Sequence, residues 1–338
     1  MKAICPGDAA WARVPGGWLV LYLWAYPKAG CAGAHWMRKE RKMLKIKNKK
    51  DILTVLVFLL PAVLIYTVFQ IIPLVQAGYF SVTNWNGIAG SAIEFAGLEN
   101  FKTIFKSPDF LLALKNMFKM VVFSVVFHTP AALLLAVALN TRCRGVRIFK
   151  AMYFVPTVFP LSAVGLMWYF IFMPTGAINA FLDVIGLSDM MAPWLVNEST
   201  AMNSIIFVNI WAGIGYYMVI LLAGLTSIPE DVYEAAAIDG AGPVKKFFCI
   251  TVPMLKDVIF VCILIDIMGS VKVFDLVYAM TGGGPNGLTN LPTTLLYNEA
   301  FKYKHYGQGS AIGIVILLIC LAGTLATNLI QAKMKKND

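Results

Sequence analysis

Long apolar runs separated by polar connectors dominate this 338-residue chain from residue 52 onward. Six of them, about 52–76, 118–139, 151–173, 203–226, 257–279 and 309–331, are long enough to cross a hydrocarbon core, which takes roughly 20 helical residues. At that depth no water satisfies the backbone, so the runs must form helices or the strands of a closed barrel. The two-residue alternation of barrel strands is missing. The pattern therefore predicts an all-α, polytopic membrane protein, a six-helix transmembrane bundle in contact with lipid. Pro61, Pro130, Pro156 and Pro160 lie inside these runs and are expected to kink the helices, not to end them.

The connector between the fourth and fifth runs, 227–256, differs from the others. It mixes acidic and small residues in Glu234-Ala235-Ala236-Ala237-Ile238-Asp239-Gly240 and continues to Ile250-Thr251-Val252-Pro253. Ser227 with Glu230 three positions on reads as a capping box, with Pro229 in the first turn. Glu230, Asp231 and Glu234 suit the positive end of the helix dipole. Asp239-Gly240 and Gly242-Pro243 then stop the helix. A stiff helix of about eleven residues, roughly 16 Å long, is predicted.

Two other connectors are informative. The one at 77–117 holds Trp85, Phe101 and an amphipathic stretch, Phe110 to Phe118, expected to lie at the membrane interface. The one at 280–308 opens with Gly282-Gly283-Gly284-Pro285 but lacks the Gly-Lys-Ser/Thr ending of a phosphate loop. No Walker-type loop occurs elsewhere, so the chain is not expected to hydrolyse ATP itself. It is read as a non-enzyme with no cofactor, no catalytic residue and no metal.

Composition agrees with the pattern. Hydrophobic residues make up 59% and charged ones 14%, against about 25% charged in soluble proteins. The net charge of +10 does not point to nucleic acid, because the basic residues flank apolar spans. Residues 1–50 form a basic N-terminal segment. Its apolar part, Gly17 to Tyr26, is too short to span, and an extended start with Met43 as the alternative initiator is the reading adopted. The transmembrane domain is then 51–338.

Lysine and arginine set the orientation. With the N-terminus inside, the inner segments carry the run from Arg38 to Lys50, then Arg142, Arg144, Arg147 and Lys150, then Lys245, Lys246 and Lys256, and finally Lys333, Lys335 and Lys336. Both termini and the Glu234 connector are thereby expected in the cytoplasm, with the chain multi-pass in the cell membrane. The cysteines, Cys5, Cys31, Cys143, Cys249, Cys262 and Cys320, show neither metal spacing nor a disulfide framework.

Polar groups inside spans carry the remaining information. Asn209, Gly213 and Tyr216 share one face of the fourth span, and Asp266, Gly269 and Ser270 one face of the fifth. Amide, phenol and hydroxyl groups beside an aromatic ring and a small gap suit a sugar, which offers hydroxyls and an apolar face. Small and polar residues also pack helix against helix in membranes, and that explanation stays open for the same positions. Lys272 and Asp275, three apart, are expected to form an interfacial ion pair. His128 has no acidic or cysteine neighbour in sequence and is expected to be a packed, hydrogen-bonded, neutral ring.

Glu-Ala-Ala, three residues, Gly, nine residues, then Ile-Thr-Val-Pro resembles the coupling loop of permease subunits of binding-protein-dependent ABC importers, with Val252 in place of the usual Leu. Asn84-Trp85-Asn86-Gly87, Phe95-Ala96-Gly97-Leu98-Glu99-Asn100-Phe101 and Phe274-Asp275 to Pro285 are similar to the sugar-importing, MalF-like branch. The resemblance spans about 43–338. It implies a second, related permease chain (a heterodimer), two ATPase subunits, an extracytoplasmic solute-binding protein and a sugar substrate.

In the coupling loop the resemblance assigns charge to Glu234, close approach to Ala235 and Ala236, the turn to Asp239 and Gly240, and the anchor to Ile250 and Pro253. For the substrate path it points to Asn209, Gly213 and Tyr216 and, in the next span, to Asp266, Gly269 and Ser270, although the family has a small hydroxyl residue where Asp266 stands. The competing architecture is an ion-coupled secondary transporter of a small polar solute, using Asp266 and His128. A membrane-embedded enzyme would need a cluster that the scattered His35, His128 and His305 do not supply.

Overall fold

The computed structural model describes residues 49–140 and 145–337. The basic segment through Lys47 with Met43, His35, Arg142, Arg144, Cys5, Cys31 and Cys143 lies outside the described residues, as do the side chains of Lys49, Lys50, Lys335 and Lys336. The chain divides into two compact units, one ending at Ile72 and the other running from Pro73 to the C-terminus. The first contains α1, Lys49–Tyr66, with Pro61 inside it, and a π-helical turn at Thr67–Ile71. Helix α2, Ile72–Phe80, follows in sequence.

Twelve further α-helical segments follow among the described residues: α3 Glu99–Lys106, α4 Pro108–Leu139, α5 Val146–Val158, α6 Leu161–Ile171, α7 Ala177–Val184, α8 Ala201–Leu225, α9 Glu230–Ile238, α10 Pro243–Lys246, α11 Val252–Met254, α12 Lys256–Val271, α13 Asp275–Met280 and α14 Pro292–Tyr297, before the last helix, α15, Tyr306–Asn337. Among the described residues four stretches are long and apolar enough to cross a membrane, Val57–Phe80, Pro108–Leu139, Ala201–Leu225 and Tyr306–Met334, and the number reaches six if each of two bent helix pairs is one span. The all-α class matches the sequence pattern, and so does the number of spans when each bent pair is one crossing. The continuity of two spans does not.

The third run is broken. Helices α5 and α6 meet at 98° across Phe159 and Pro160. Pro160 excludes the helical conformation from the residue before it, and Phe159 is extended at ψ 144°. Pro156, by contrast, is carried within α5. The fifth run is broken as well. Within it α12 ends at Val271 before α13 restarts at Asp275, and just ahead of it, in the connector, the stretch Pro243–Met254 meets α12 at 70°. The π turn at Phe247–Thr251 immediately precedes α11, where Pro253 lies. A proline ring collides with the carbonyl four residues back, here that of Cys249, and the widened turn relieves this. Because Lys272 and Asp275 lie on either side of the interruption between α12 and α13, the i,i+3 geometry is lost and their expected ion pair does not form.

Two helix ends also differ from expectation. Helix α4 starts ten residues ahead of the apolar run, so the Phe110 to Phe118 stretch forms its first turns, with Phe110, Ala113 and Met117 buried. The short amphipathic helix of that region is α3 instead. At the connector, Ser227 does not cap α9. Its hydroxyl donates back to the Gly224 carbonyl at 2.7 Å, and α9 starts at Glu230 behind Pro229 without a side-chain cap.

The C-terminal end of α9 forms as the sequence implies. Gly240 sits at φ +75°, Gly240 N–H donates to the Ala237 carbonyl at 3.1 Å, and Ala241 N–H to that of Ala236 at 2.9 Å. These are the two bonds of a Schellman cap, and they need a left-handed residue at Gly240.

Within the second unit, α8 is the central element, packed on α4 and α5, while α12 packs on α4, α13 on α6, and α15 on α12 and α14. Close approach comes from small side chains, as is usual where lipid offers no hydrophobic drive to pair helices. Ala132 and Ala136, fully buried on α4, share a core with Met218 and Leu221 of α8. Gly165 of α6 lies against α13, where an added Cβ would be 3.0 Å from that of Ala279.

At the end of the bundle away from α9, Asn116 Nδ2 donates to the carbonyls of Leu288 at 2.8 Å and Asn290 at 3.0 Å. Asn116→Leu removes both donors from a buried position. It is expected to destabilise the protein by about 1–3 kcal/mol, read as a lower unfolding midpoint in detergent.

Candidate functional site

Midway along α8, helices α4, α5, α6 and α12 leave a cleft of about 220 Å³. All six polar or small residues read from the fourth and fifth spans line it: Asn209, Gly213 and Tyr216 from α8, Asp266, Gly269 and Ser270 from α12. Helical spacing put each trio on one face, and the packing turns both faces toward one space. Tyr216 and Gly269 are exposed there, Asn209 and Gly213 are half-buried, and Asp266 and Ser270 are each 2% exposed.

The rest of the wall was not anticipated. Thr157 and Leu161 come from either side of the α5–α6 break, Ala212 and Tyr217 from α8, and Val273 from just past the end of α12. The Thr157 hydroxyl donates to the Ala212 carbonyl at 2.9 Å and ties the bent pair to α8. Asn209 Nδ2 donates to Ser124 Oγ at 3.2 Å.

His128 also lines the cleft, and here the structure alters the expectation. The ring is packed and hydrogen-bonded, but one partner is a carboxyl group 138 residues away: Nδ1 lies 3.0 Å from Asp266 Oδ1. Nε2 lies 3.0 Å from the Ile210 carbonyl, and the Tyr217 hydroxyl donates to Asp266 Oδ1 at 3.4 Å. A signal for the pair was present in the sequence, since a mid-span carboxyl needs a partner and His128 is an ionisable group within another span. Gly213 makes the arrangement possible, because a Cβ there would come within 2.6 Å of His128 Nε2. Oδ2 of Asp266 and Oγ of Ser270, by contrast, are buried without a hydrogen-bond partner.

The connector between the two trios presents a second feature. Helix α9 is held to the bundle by Tyr233, whose hydroxyl is 3.0 Å from Thr251 Oγ1, and by the adjoining Ile228, which is buried. Glu234, Ala235, Asp239 and Gly240 are exposed, Ala236 is half-buried, and Ile238 is 87% exposed. Pro253 is exposed and Ile250 half-buried, both near the bend that leads into α12.

Comparison with known proteins gives a consistent result. Residues 128–336 match the model of the family described as "Binding-protein-dependent transport system inner membrane component". A probable ABC transporter permease protein of Bacillus subtilis (strain 168), YurN, is 36% identical over 282 residues, covering 82% of this chain and 94% of that protein. MsmF of Streptococcus mutans serotype c, a multiple sugar-binding transport system permease protein, is 30% identical over 262 residues, covering 78% and 89%. AraP, an arabinooligosaccharides transport system permease protein of Bacillus subtilis (strain 168), is 32% identical over 284 residues, covering 82% and 88%. Among solved structures, a chain of a bacterial alginate ABC transporter in complex with its pentasaccharide-bound periplasmic protein shares the fold, with a TM-score of 0.74 and 24% identity over 85% of this chain and 96% of that one.

Proposed function

From the premise that this chain belongs to the family of binding-protein-dependent transport system inner membrane components, permease subunits of ABC transporters, we propose that it forms one side of the translocation path of a carbohydrate importer. The observation that carries this reading is the cleft itself: an amide, a phenol and two glycines from α8 and α12 converge with buried carboxyl and hydroxyl groups at mid-span. The names of MsmF and AraP support sugar as the solute class. A single bundle does not enclose a path, so a second permease completes it. Two ATPase subunits supply the energy, and an extracytoplasmic binding protein delivers the solute.

Coupling runs through α9. Of its acidic and small residues, Glu234, Ala235, Asp239 and Gly240 face away from the bundle and Ala236 is half-buried, and its sequence neighbours on both sides are the two spans that carry the cleft trios. Nucleotide-driven closure of the ATPases would move α9, and α8 and α12 would tilt with it, closing the cleft on one side and opening it on the other. The distribution of Lys and Arg supports a cytoplasmic position for α9 and both termini.

The test is to purify the intact complex through a tag on this chain and screen saccharides, with the binding protein present, for stimulation of ATP hydrolysis. Stimulation by a saccharide is expected, and transport driven by an ion gradient without ATP would overturn the reading. In the same assay Asp266→Asn is expected to shift the half-stimulating concentration by about 10-fold or more, because a carboxyl oxygen in the wall is replaced by an amide N–H donor. An unchanged concentration and solute range would remove Asp266 from the path.

A further inference from the structure

The cleft contains one acid–base pair, His128 with Asp266, and no lysine, arginine or second carboxyl group among its lining residues. The partners of His128 fix how many hydrogens the pair holds. The Ile210 carbonyl can only accept, so Nε2 carries a hydrogen. The 3.0 Å contact between Nδ1 and Oδ1 of Asp266 needs one more, on the ring or on the carboxyl group. In either arrangement the charges of the pair sum to zero. The Tyr217 hydroxyl adds a further donor to the same Oδ1. Asp266 Oδ2 and, one helical turn on, Ser270 Oγ are left buried and unpartnered in the wall.

We infer that this arrangement makes the cleft selective for electrically neutral, hydroxyl-rich solutes and excludes sugar acids, an inference that rests on the carbohydrate reading above. A sugar hydroxyl both donates and accepts, so it satisfies Oδ2 as a donor and Ser270 as an acceptor or donor. A uronate carboxylate only accepts. It would direct lone pairs at Oδ2 and bring a net negative charge into a cleft with no cation to receive it. An ammonium group would find an acceptor in Oδ2, but it would bring a net positive charge into a cleft whose one carboxyl group is already paired with His128. His128 is thus a positioning and charge-compensating residue, acting on the solute through Asp266.

The experiment uses the intact complex carrying Gly269→Cys, a cleft position where an added Cβ meets nothing within 4 Å. Alkylation at that residue is read by peptide mass without binding protein, so that the binding protein's own selectivity does not intervene. The probes are matched saccharide trios, each a neutral sugar, its uronate and its 2-amino derivative. Neutral members are expected to protect the thiol at concentrations at least about 10-fold below those of the uronates. Equal protection by uronates would overturn the selectivity, and failure of every saccharide to protect would instead overturn the carbohydrate reading on which it rests.

Two variants separate charge from scaffolding. His128→Gln removes the compensating ring and is expected to shift preference toward the 2-amino members by about 10-fold relative to the neutral ones. The isosteric Asp266→Asn is expected to relax the exclusion of uronates by a similar factor. Equal loss of protection by all three classes in both variants would mean a purely structural pair and would refute the inference.

Discussion

Gly240→Asp abolishes nucleotide-driven uptake, a loss expected to reach about 100-fold or more, while the chain remains inserted and assembled. The residue is at φ +75° in the turn that closes α9, and an added Cβ meets nothing within 4 Å, so no steric clash is involved. Two other effects act. A side chain in the left-handed region costs about 1 kcal/mol. A carboxylate at the carbonyl end of α9 opposes the helix dipole and adds charge to an exposed surface already bearing Glu234 and Asp239. Gly240→Asn separates them, because it matches the bulk and tolerates the same backbone but carries no charge. It is expected to retain most uptake. Equal loss in both variants would assign the effect to the turn, and full uptake by Gly240→Asp would remove the turn from the coupling contact. Solute uptake into membrane vesicles, normalised to the amount of inserted chain, makes the comparison.

The second large effect is expected from Gly215→Ala. Gly215 is buried where α8 meets α5, and an added Cβ would overlap the Tyr153 carbonyl oxygen and come within 2.9 Å of Phe154 Cα. Neither atom belongs to a side chain that can swing away, so the two helices must separate. Overpacking of this kind costs about 1–3 kcal/mol, and the upper end applies against backbone. Separation would also break the Thr157–Ala212 hydrogen bond and widen the cleft. A lower unfolding midpoint and loss of uptake are expected together. Gly269→Ala provides the contrast, since its added methyl group enters open space in the cleft wall and should leave the midpoint unchanged. Equal midpoints for the two variants would contradict the packing described for α5 and α8.

The spans and the two cleft-lining trios were legible because each signal is local. Twenty apolar residues announce a crossing, and spacings of three and four residues place Asn209 with Tyr216, and Asp266 with Ser270, on single faces. Helix α9 was legible at its C-terminal end, where Gly240 was required, and misread at its start, where Ser227 had a nearer acceptor in the Gly224 carbonyl. The breaks were less visible. Pro160 differs from Pro156 through tertiary context, and the interruption after Val271 contains neither Gly nor Pro. The His128–Asp266 pair was not legible as a contact, because its members are 138 residues apart and only the packing of α4 on α12 joins them.

Ile238 offers the most direct test of the coupling claim, since its side chain is 87% exposed on α9. Replacing it with a photoreactive amino acid, irradiating intact membranes and identifying the adduct by mass spectrometry would show what the helix touches. The account predicts an adduct with a nucleotide-hydrolysing subunit on the cytoplasmic side. An adduct with an extracytoplasmic protein, or none with any protein, would contradict it.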